Sequence, residues 1–436
     1  MAKKTKDSNL SIEERLEQAL IPNWDEPYNL PKNWCWINLK SVLRHQSGNS
    51  KLIKGRLASE KKDGLYDAYS ASGQDVYTES YEHEGDAIIV SAVGARCGKA
   101  FLASGKWSAI ANTHIVYSND RLLDIRYLHY VLNDESWWVK SGSAQPFVVV
   151  NESLLKPFAL PPLLEQKRIV EYIETAFAKL DEAKEKAQEV VDGFETRKAA
   201  ILHKAFSGEL TAKWREENDV ALTSWLPCAY SELGTSKLGK MLDKSKNSGR
   251  QVPYLRNVNV RWFGFDLSDV SQMLASEEEI KLLSVKRGDV FICEGGEPGR
   301  CAIWRDSDSN MIFQKALHRF RPNDKIIGDF LCYYLYFLSV NGTLEKYFTG
   351  STIKHLTGQS LAKIIISVPT INEQKEIVDI LDRMLSKEQQ AKETAEAVIE
   401  HIDTMKKAIL ARAFRGELGT NDPSEESAVE LLKKIL

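Results

Sequence analysis

Two stretches of the chain hold side chains suited to binding a polyanion. Residues 44–62 carry Arg44, Lys51, Lys54, Arg56, Lys61 and Lys62 against a single acid, Glu60. Residues 237–261 carry Lys237, Lys240, Lys244, Lys246, Arg250, Arg256 and Arg261 against Asp243. Both are interleaved with Ser, Asn, Gly and Tyr, a mixture that suits phosphate contact and hydrogen bonding to base edges. A charge run taken singly is most often a solvated loop.

Catalytic patterns are sparse. Gly94-Ala95-Arg96-Cys97-Gly98-Lys99 resembles a phosphate loop, but three residues instead of four separate its glycines. Ala100 also replaces the hydroxyl that would hold Mg²⁺, so the segment reads as a strand-to-strand turn. No GxGxxG follows a strand pattern. Asp289 and Glu294 are the nearest approach to a metal-nuclease pair, but the following Gly295-Gly296-Glu297 supplies no lysine. His114, His318 and His355 are isolated, and the cysteines (Cys35, Cys97, Cys228, Cys293, Cys301, Cys332) form no CxxC pair. Free thiols, no metal site and no active site are expected.

The elements that must position these residues are duplicated. Residues 161–210 align without a gap on 369–418, with 22 identities in 50 positions. Chance would give roughly 3 from ordinary residue frequencies. The shared start is Glu165-Gln166-Lys167 with Ile169-Val170, against Glu373-Gln374-Lys375 with Ile377-Val378. The shared end is Ala205-Phe206 with Gly208-Glu209-Leu210, against Ala413-Phe414 with Gly416-Glu417-Leu418. Each copy follows a proline, is rich in Glu, Lys, Ala and Gln, and stops at a glycine, so each reads as one long helix.

Core positions in the first copy step alternately by four and three: Ile169, Ile173, Ala176, Leu180, Ala183, Ala187, Val190, Phe194, Arg197, Ile201. In the second they are Ile377, Leu381, Met384, Glu388, Ala391, Ala395, Val398, Ile402, Met405, Ile409. That period is a coiled-coil seam with one charged exception in each list. Some 45 residues at about 1.5 Å each make a rod of roughly 65–70 Å.

The segments before the helices repeat loosely. Gly85-Asp86 and Gly288-Asp289 each lead an apolar strand that runs into a Gly-rich turn with Arg and Cys. Tyr127–Leu132 and Phe330–Leu335 each read as a short aromatic helix. Ser141-Gly142-Ser143 and Thr349-Gly350-Ser351 each form a turn before the long helix. The layout is globule–rod–globule–rod, with divergent side chains on a common scaffold.

The whole chain has a net charge of −3, which by itself speaks against nucleic acid. Divided by module, both globules are positive and the rods and N-terminal segment are negative. The two basic runs then fall at the same place in two repeated modules, which weakens the solvated-loop reading. No apolar run approaches 18 residues and the N-terminus lacks an apolar signal core, so no membrane span and a cytoplasmic location are expected.

The Pro161-Pro162-Leu163-Leu164-Glu165-Gln166-Lys167 and Pro369-Thr370-Ile371-Asn372-Glu373-Gln374-Lys375 motifs, with the two Gly-Glu-Leu ends, resemble the conserved-region helices of type I restriction–modification specificity (S) subunits. Glu13-Glu14-Arg15 and Leu30-Pro31-Lys32-Asn33-Trp34 are similar to the same family. The second copy departs at Thr370 and Asn372, where the first has Pro162 and Leu164. The resemblance implies a multidomain α+β chain: two globular α/β target recognition domains separated by two long helices that form an antiparallel coiled coil. The segments would be an N-terminal segment with a short helix (1–29), recognition domain 1 (30–160), a central helix and linker (161–225), recognition domain 2 (226–368), a C-terminal helix (369–419) and a tail (420–436).

It also implies the partners: double-stranded DNA, two modification (methyltransferase) subunits and restriction (translocase-nuclease) subunits, with no membrane. S-adenosylmethionine and ATP would be bound by those partners, and this chain would hold no cofactor and no metal. For DNA contact the side chains with bidentate potential in the variable segments stand out. They are Arg44, Lys54, Arg56, Tyr69, Ser70, Arg96 and Asn112 in the first domain. In the second they are Arg250, Tyr254, Arg256, Asn257, Asn259, Arg261, Arg300 and Gln314. A competing reading is a scaffold that dimerises through parallel coiled coils and binds peptides with its globules. Antiparallel pairing within one chain would instead bring Ile173 opposite Met405.

Overall fold

The computed structural model describes residues 10–21, 25–243 and 247–436. Lys244, Lys246 and the first nine residues of the N-terminal segment lie outside the described residues. The chain divides into two compact units: residues up to 185 together with 398–436, and residues 186–397. Each long helical segment contributes to both units.

Both units are built on the same strand order. In the first, a four-stranded antiparallel sheet runs Arg44–Ser47, Thr113–Tyr117, Ala87–Ser91, Ala100–Ala103. In the second the order is Gly234–Leu238, Leu317–Pro322, Val290–Cys293, Cys301–Ile303. The central strands, Ala-Ile-Ile-Val-Ser and Val-Phe-Ile-Cys, are buried at every position. The polar outer strands Arg44–Ser47 and Gly234–Leu238 lie at sheet edges, where polar side chains on both faces reach solvent. A second sheet in each unit contains a parallel pair, Tyr66–Ser70 with Lys106–Ala109 and Arg250–Leu255 with Ile312–Phe313. A two-stranded ribbon, Cys35–Asn38 with Pro157–Leu160 or Leu226–Ala229 with Ile365–Val368, leads each globule into its long helix. The aromatic helices are Ile125–Leu132 and Gly328–Val340. Among the described residues no helix is long and apolar enough to cross a membrane.

The Glu-Gln pair that opens each repeat is the anchor between helix and globule. Gln166 and Gln374 are fully buried. Gln166 donates to the carbonyls of Leu122 and Pro161 and accepts from the Asp124 amide. Gln374 donates to Lys325 and Pro369 and accepts from Ile327. The same side chain thus satisfies the backbone at the start of the aromatic helix in both units.

The helical segments run Leu163–Asp192, Phe194–Phe206 and Ile371–Phe414. The first repeat is broken at Gly193, where the second has His401 in an unbroken helix. A Cβ at Gly193 would lie 2.4 Å from Arg197 Nη1. The missing side chain lets Arg197 fold back to the Val190 carbonyl (2.8 Å) and to Glu388 (2.7 Å). Arg197 and Glu388 are the two charged exceptions in the seam, and here they pair with each other.

At five of the twenty expected seam positions the seam is offset by one residue. Ala183, Met384, Ala391, Val398 and Met405 are exposed. The less exposed neighbours include Leu385 and Ile399; the other three are Lys184, Lys392 and Lys406. Their aliphatic stems lie in the seam while the ammonium groups reach out of it. Lys392 Nζ stands 5.0 Å from the Phe194 ring centroid, and Lys406 Nζ stands 5.0 Å from that of Phe177. In the first unit Lys184 meets Asp403 at 3.0 Å and Lys406 meets Asp181 at 2.5 Å, so the contacting segments run in opposite directions. Ile173 does not face Met405: the register is displaced by about two and a half helical turns. A heptad pattern repeats when slid by seven residues, so it cannot select one register; the charged pairs do.

Residues 420–436 complete the first unit. Ala428 and Leu432, on the helix Ala428–Lys433, are fully buried. Arg168 binds Glu425 through two nitrogens at 2.7 and 2.9 Å. The Asn33 side-chain amide donates to the Asp422 carbonyl at 3.0 Å.

Candidate nucleic-acid interface

The end of the central strand is the point where several polar segments converge in each unit. In the first, Ser91 is followed by a turn through Gly94 and Gly98 that returns as Ala100–Ala103, a strand-to-strand turn as its spacing predicts. Backbone bonds tie this turn to its neighbours: Ala92 N–H to Asn112 O (2.9 Å), and Gly94 N–H to Pro146 O (2.9 Å). Arg96 and Asn112 are placed here, both exposed. The Arg96 guanidinium lies 5.9 Å from the Phe101 ring centroid, close to the Ser72 carbonyl at the tip of the adjoining hairpin.

Other candidates of this unit stand apart. Lys54 is exposed but salt-bridged to Asp75, with Ser70 at 3.5 Å. Arg56 borders a separate cleft of about 600 Å³ with Leu52, Lys62 and Tyr77. Arg44 pairs across the sheet with Tyr117, at the opposite end from Ser91 and Thr113. Tyr69 and Ser70 are corrections: both are buried. The Tyr69 hydroxyl donates to Leu102 O, and Ser70 Oγ accepts from the Ser72 amide. Alternation along Tyr66–Ser70 breaks at a bulge between Ala68 and Tyr69, which sends these residues inward.

In the second unit the corresponding turn, 294–299, gathers Asn257, Arg300 and Gln314. Asn257 donates to Gly295 O at 2.7 Å, and Arg300 binds Glu297 at 2.9 Å and Asn257 O at 3.0 Å. Gln314 donates its backbone N–H to Leu255 O at 3.0 Å, and exposed Lys315 follows it. No charge run marks Lys315 in the sequence. Arg256 is half-buried and held by Asp269 at 2.7 Å. Arg261 is exposed, 3.3 Å from Asp266. Arg250 pairs with Glu277 at the far end of its strand.

Tyr254 and Asn259 are further corrections, at 4% and 2% exposure. The Asn259 carboxamide is spent on the Arg256 amide and on the Asp266 and Asp269 carbonyls. It shapes the loop that carries Arg256 and Asn257 and presents nothing to a ligand.

The groups that could do chemistry are occupied structurally. Asp289 holds Arg321 at 2.6 Å at one end of the central strand, whereas Glu294 follows the other end. His318 Nε2 lies 3.2 Å from Leu356 O, and burial lowers the His318 pKa against the opposing pull of Glu294. Burial lifts the Cys293 thiol to about 11. Among the described residues no group of three His, Cys, Asp or Glu side chains could hold a metal ion.

The profile of the type I restriction modification DNA specificity domain matches residues 31–191 and 225–401. The chain belongs to that family, and each match takes in one globule and much of the helix that follows it. It is 25% identical over 290 residues to the EcoKI specificity subunit of Escherichia coli strain K12, covering 63% of this chain and 62% of that one. It is 21% identical over 447 residues to the EcoDI specificity subunit of Escherichia coli, covering 93% and 95%. Among solved structures, the HsdS subunit from Thermoanaerobacter tengcongensis has the same fold, with a TM-score of 0.62 at 18% identity over 90% of this chain and all of that one.

Proposed function

We propose that this chain is the DNA-reading component of a type I restriction–modification complex, with each unit reading one half of a bipartite duplex site. The observation that carries the reading is the duplication. Two units of one strand order bring different polar and cationic residues to the same place, the turn after the central strand: Arg96 and Asn112 in one, Asn257, Arg300 and Gln314 in the other. Two modest readers on one chain gain effective concentration if their spacing matches the site. Half-sites about one helical turn apart, roughly 34 Å, present major grooves on one face of the duplex. The helical segments are long enough for that offset; as an antiparallel coiled coil they would set it.

Two methyltransferase subunits would dock on the helices, with restriction subunits joining them in the cytoplasm. S-adenosylmethionine, ATP and the catalytic steps would belong to those partners. Support comes from the negative charge of the helical segments, which suits protein contact better than DNA, and from the relatives named above.

Methylation mapping of DNA from cells expressing this chain with its methyltransferase should reveal one two-part motif. Absence of any bipartite motif would overturn the reading. A disulfide engineered as Lys184→Cys with Asp403→Cys should close within one chain; closure only between chains would favour a parallel dimeric scaffold.

A further inference from the structure

One repeated feature is left unused by the reading residues: the Gly-Ser turn before each long helix. In the first unit Lys140–Ser141 pairs with Phe147–Val148 as a hairpin. In the second Thr349 and His355 exchange both backbone bonds, at 2.8 and 2.9 Å. Gly142 and Gly350 take φ of +86° and +89°. A Cβ there would fall 2.8 Å from Gln145 O or 2.2 Å from Ile353 O, so both tips require glycine.

Neither tip is loose. Pro146 O accepts from Gly94, and Val148 N–H donates to Ala92 O (2.9 Å). Leu356 N–H donates to Glu294 O (2.7 Å), and Gly295 packs against the His355 ring. Each hairpin is therefore fixed to the Gly-rich turn that carries Arg96 or precedes Arg300.

The tips present an unusual surface. Residues 141–145 and 350–354 are exposed and contain no acid. They offer Ser141, Ser143, Ser351, Thr352 and Lys354, with Lys140 beside them. Each also exposes an apolar side chain, Phe147 at 43% and Ile353 at 66%. Among the described residues no large apolar side chain is more exposed than Ile353. The fold gains nothing from leaving these groups in water. Hydroxyls and lysines around one apolar side chain, on a rigid acid-free tip, match duplex DNA: polar groups for the phosphates and an apolar face for the bases.

We propose that the two hairpin tips are DNA-contacting elements, one per half-site, in which Phe147 and Ile353 press against the bases while the hydroxyls and lysines hold the flanking phosphates. This rests on the reading that each unit recognises half of a DNA site.

The test uses the full chain assembled with its methyltransferase subunits and the duplex found by methylation mapping. Phe147→Ala and Ile353→Ala should each weaken specific binding about tenfold, and Ile353→Val should restore most of the loss. Lys354→Ala should lower affinity on all duplexes alike and reduce the salt slope by about one. Leu282→Ala removes an equally bare leucine away from the tip (54% exposed) and should change nothing. Binding by both alanine variants within twofold of wild type, or an equal loss in the Leu282 variant, would overturn the proposal while leaving the half-site reading intact. A wild-type complex that prefers no duplex would instead overturn the half-site reading itself.

Discussion

The two units bury the same carboxylate and surround it with different donors. Glu165 and Glu373 are both fully buried, and each accepts from a tryptophan at the entry to its globule, Trp34 or Trp225. In the second unit the remaining donors are Thr211 and Arg215, on the chain just after the first helical repeat. In the first unit they are Thr420 and Asn421, from the stretch just after the second repeat. Equivalent positions thus serve in exchange: the stretch after each repeat completes the anchor of the other. One anchor is a buried ion pair, with Arg215 and Glu373 at 2.6 Å and side-chain exposures of 9% and 0%; the other uses neutral donors. The difference teaches that a repeated motif can be kept while its electrostatic solution changes.

Removing Arg215 probes that difference most severely. Arg215→Ala strands a buried carboxylate and should cost about 3–5 kcal/mol in the second unit. Glu165→Gln keeps an acceptor for Trp34 and should cost the first unit roughly 1–3 kcal/mol. Denaturant unfolding followed by hydrogen exchange in each unit measures both; a larger loss at Glu165 would break the comparison.

Leu432→Ala tests whether the tail belongs to the first unit's core. It should destabilise that unit by about 2–4 kcal/mol and leave exchange in residues 186–397 unchanged. Equal loss of protection in both units would remove the tail from this role.

The helical pairing is expected to contribute less. Arg197 and Glu388 are partly exposed, so a double-mutant cycle should give a coupling of about 0.5–1 kcal/mol. The more exposed Lys184–Asp403 pair should fall below that. Reversed ranking would show that Gly193 does not seat Arg197 as described.

The smallest contrast is in pH. Burial lowers the pKa of His83, His114 and His129 in the first unit and of His318 in the second. Such histidines are neutral in the fold, whereas the unfolded chain takes up protons near pH 6.5. Stability is then full above about 6.5 and falls as pH drops below it. The first unit should soften more between about pH 7 and 5, read by exchange at matched intrinsic rates.

Much of this is legible in the residues. The repeat, its helices, the strands after Gly85-Asp86 and Gly288-Asp289, and the Gly-rich turns follow from periodicity, apolar runs and glycine placement, which act locally. The placement of the candidate binding residues is legible only in part. Arg96 and Asn112 come together in one unit and Asn257, Arg300 and Gln314 in the other, whereas Tyr69, Ser70, Tyr254 and Asn259 turn inward. The direction of a strand side chain depends on a bulge or a partner strand far away in the chain. Lysines in the seam escape a periodicity reading because their charge hides a long apolar stem.

By itself the sequence determined that there are two modules, two helical repeats and two basic segments, because near neighbours set propensity and period. Tertiary structure alone decided the helix register, the break that seats Arg197, and the exchange that brings Asn421 to Glu165 and Arg215 to Glu373. Those outcomes depend on which buried polar group finds a partner far away along the chain, and no local pattern encodes that choice.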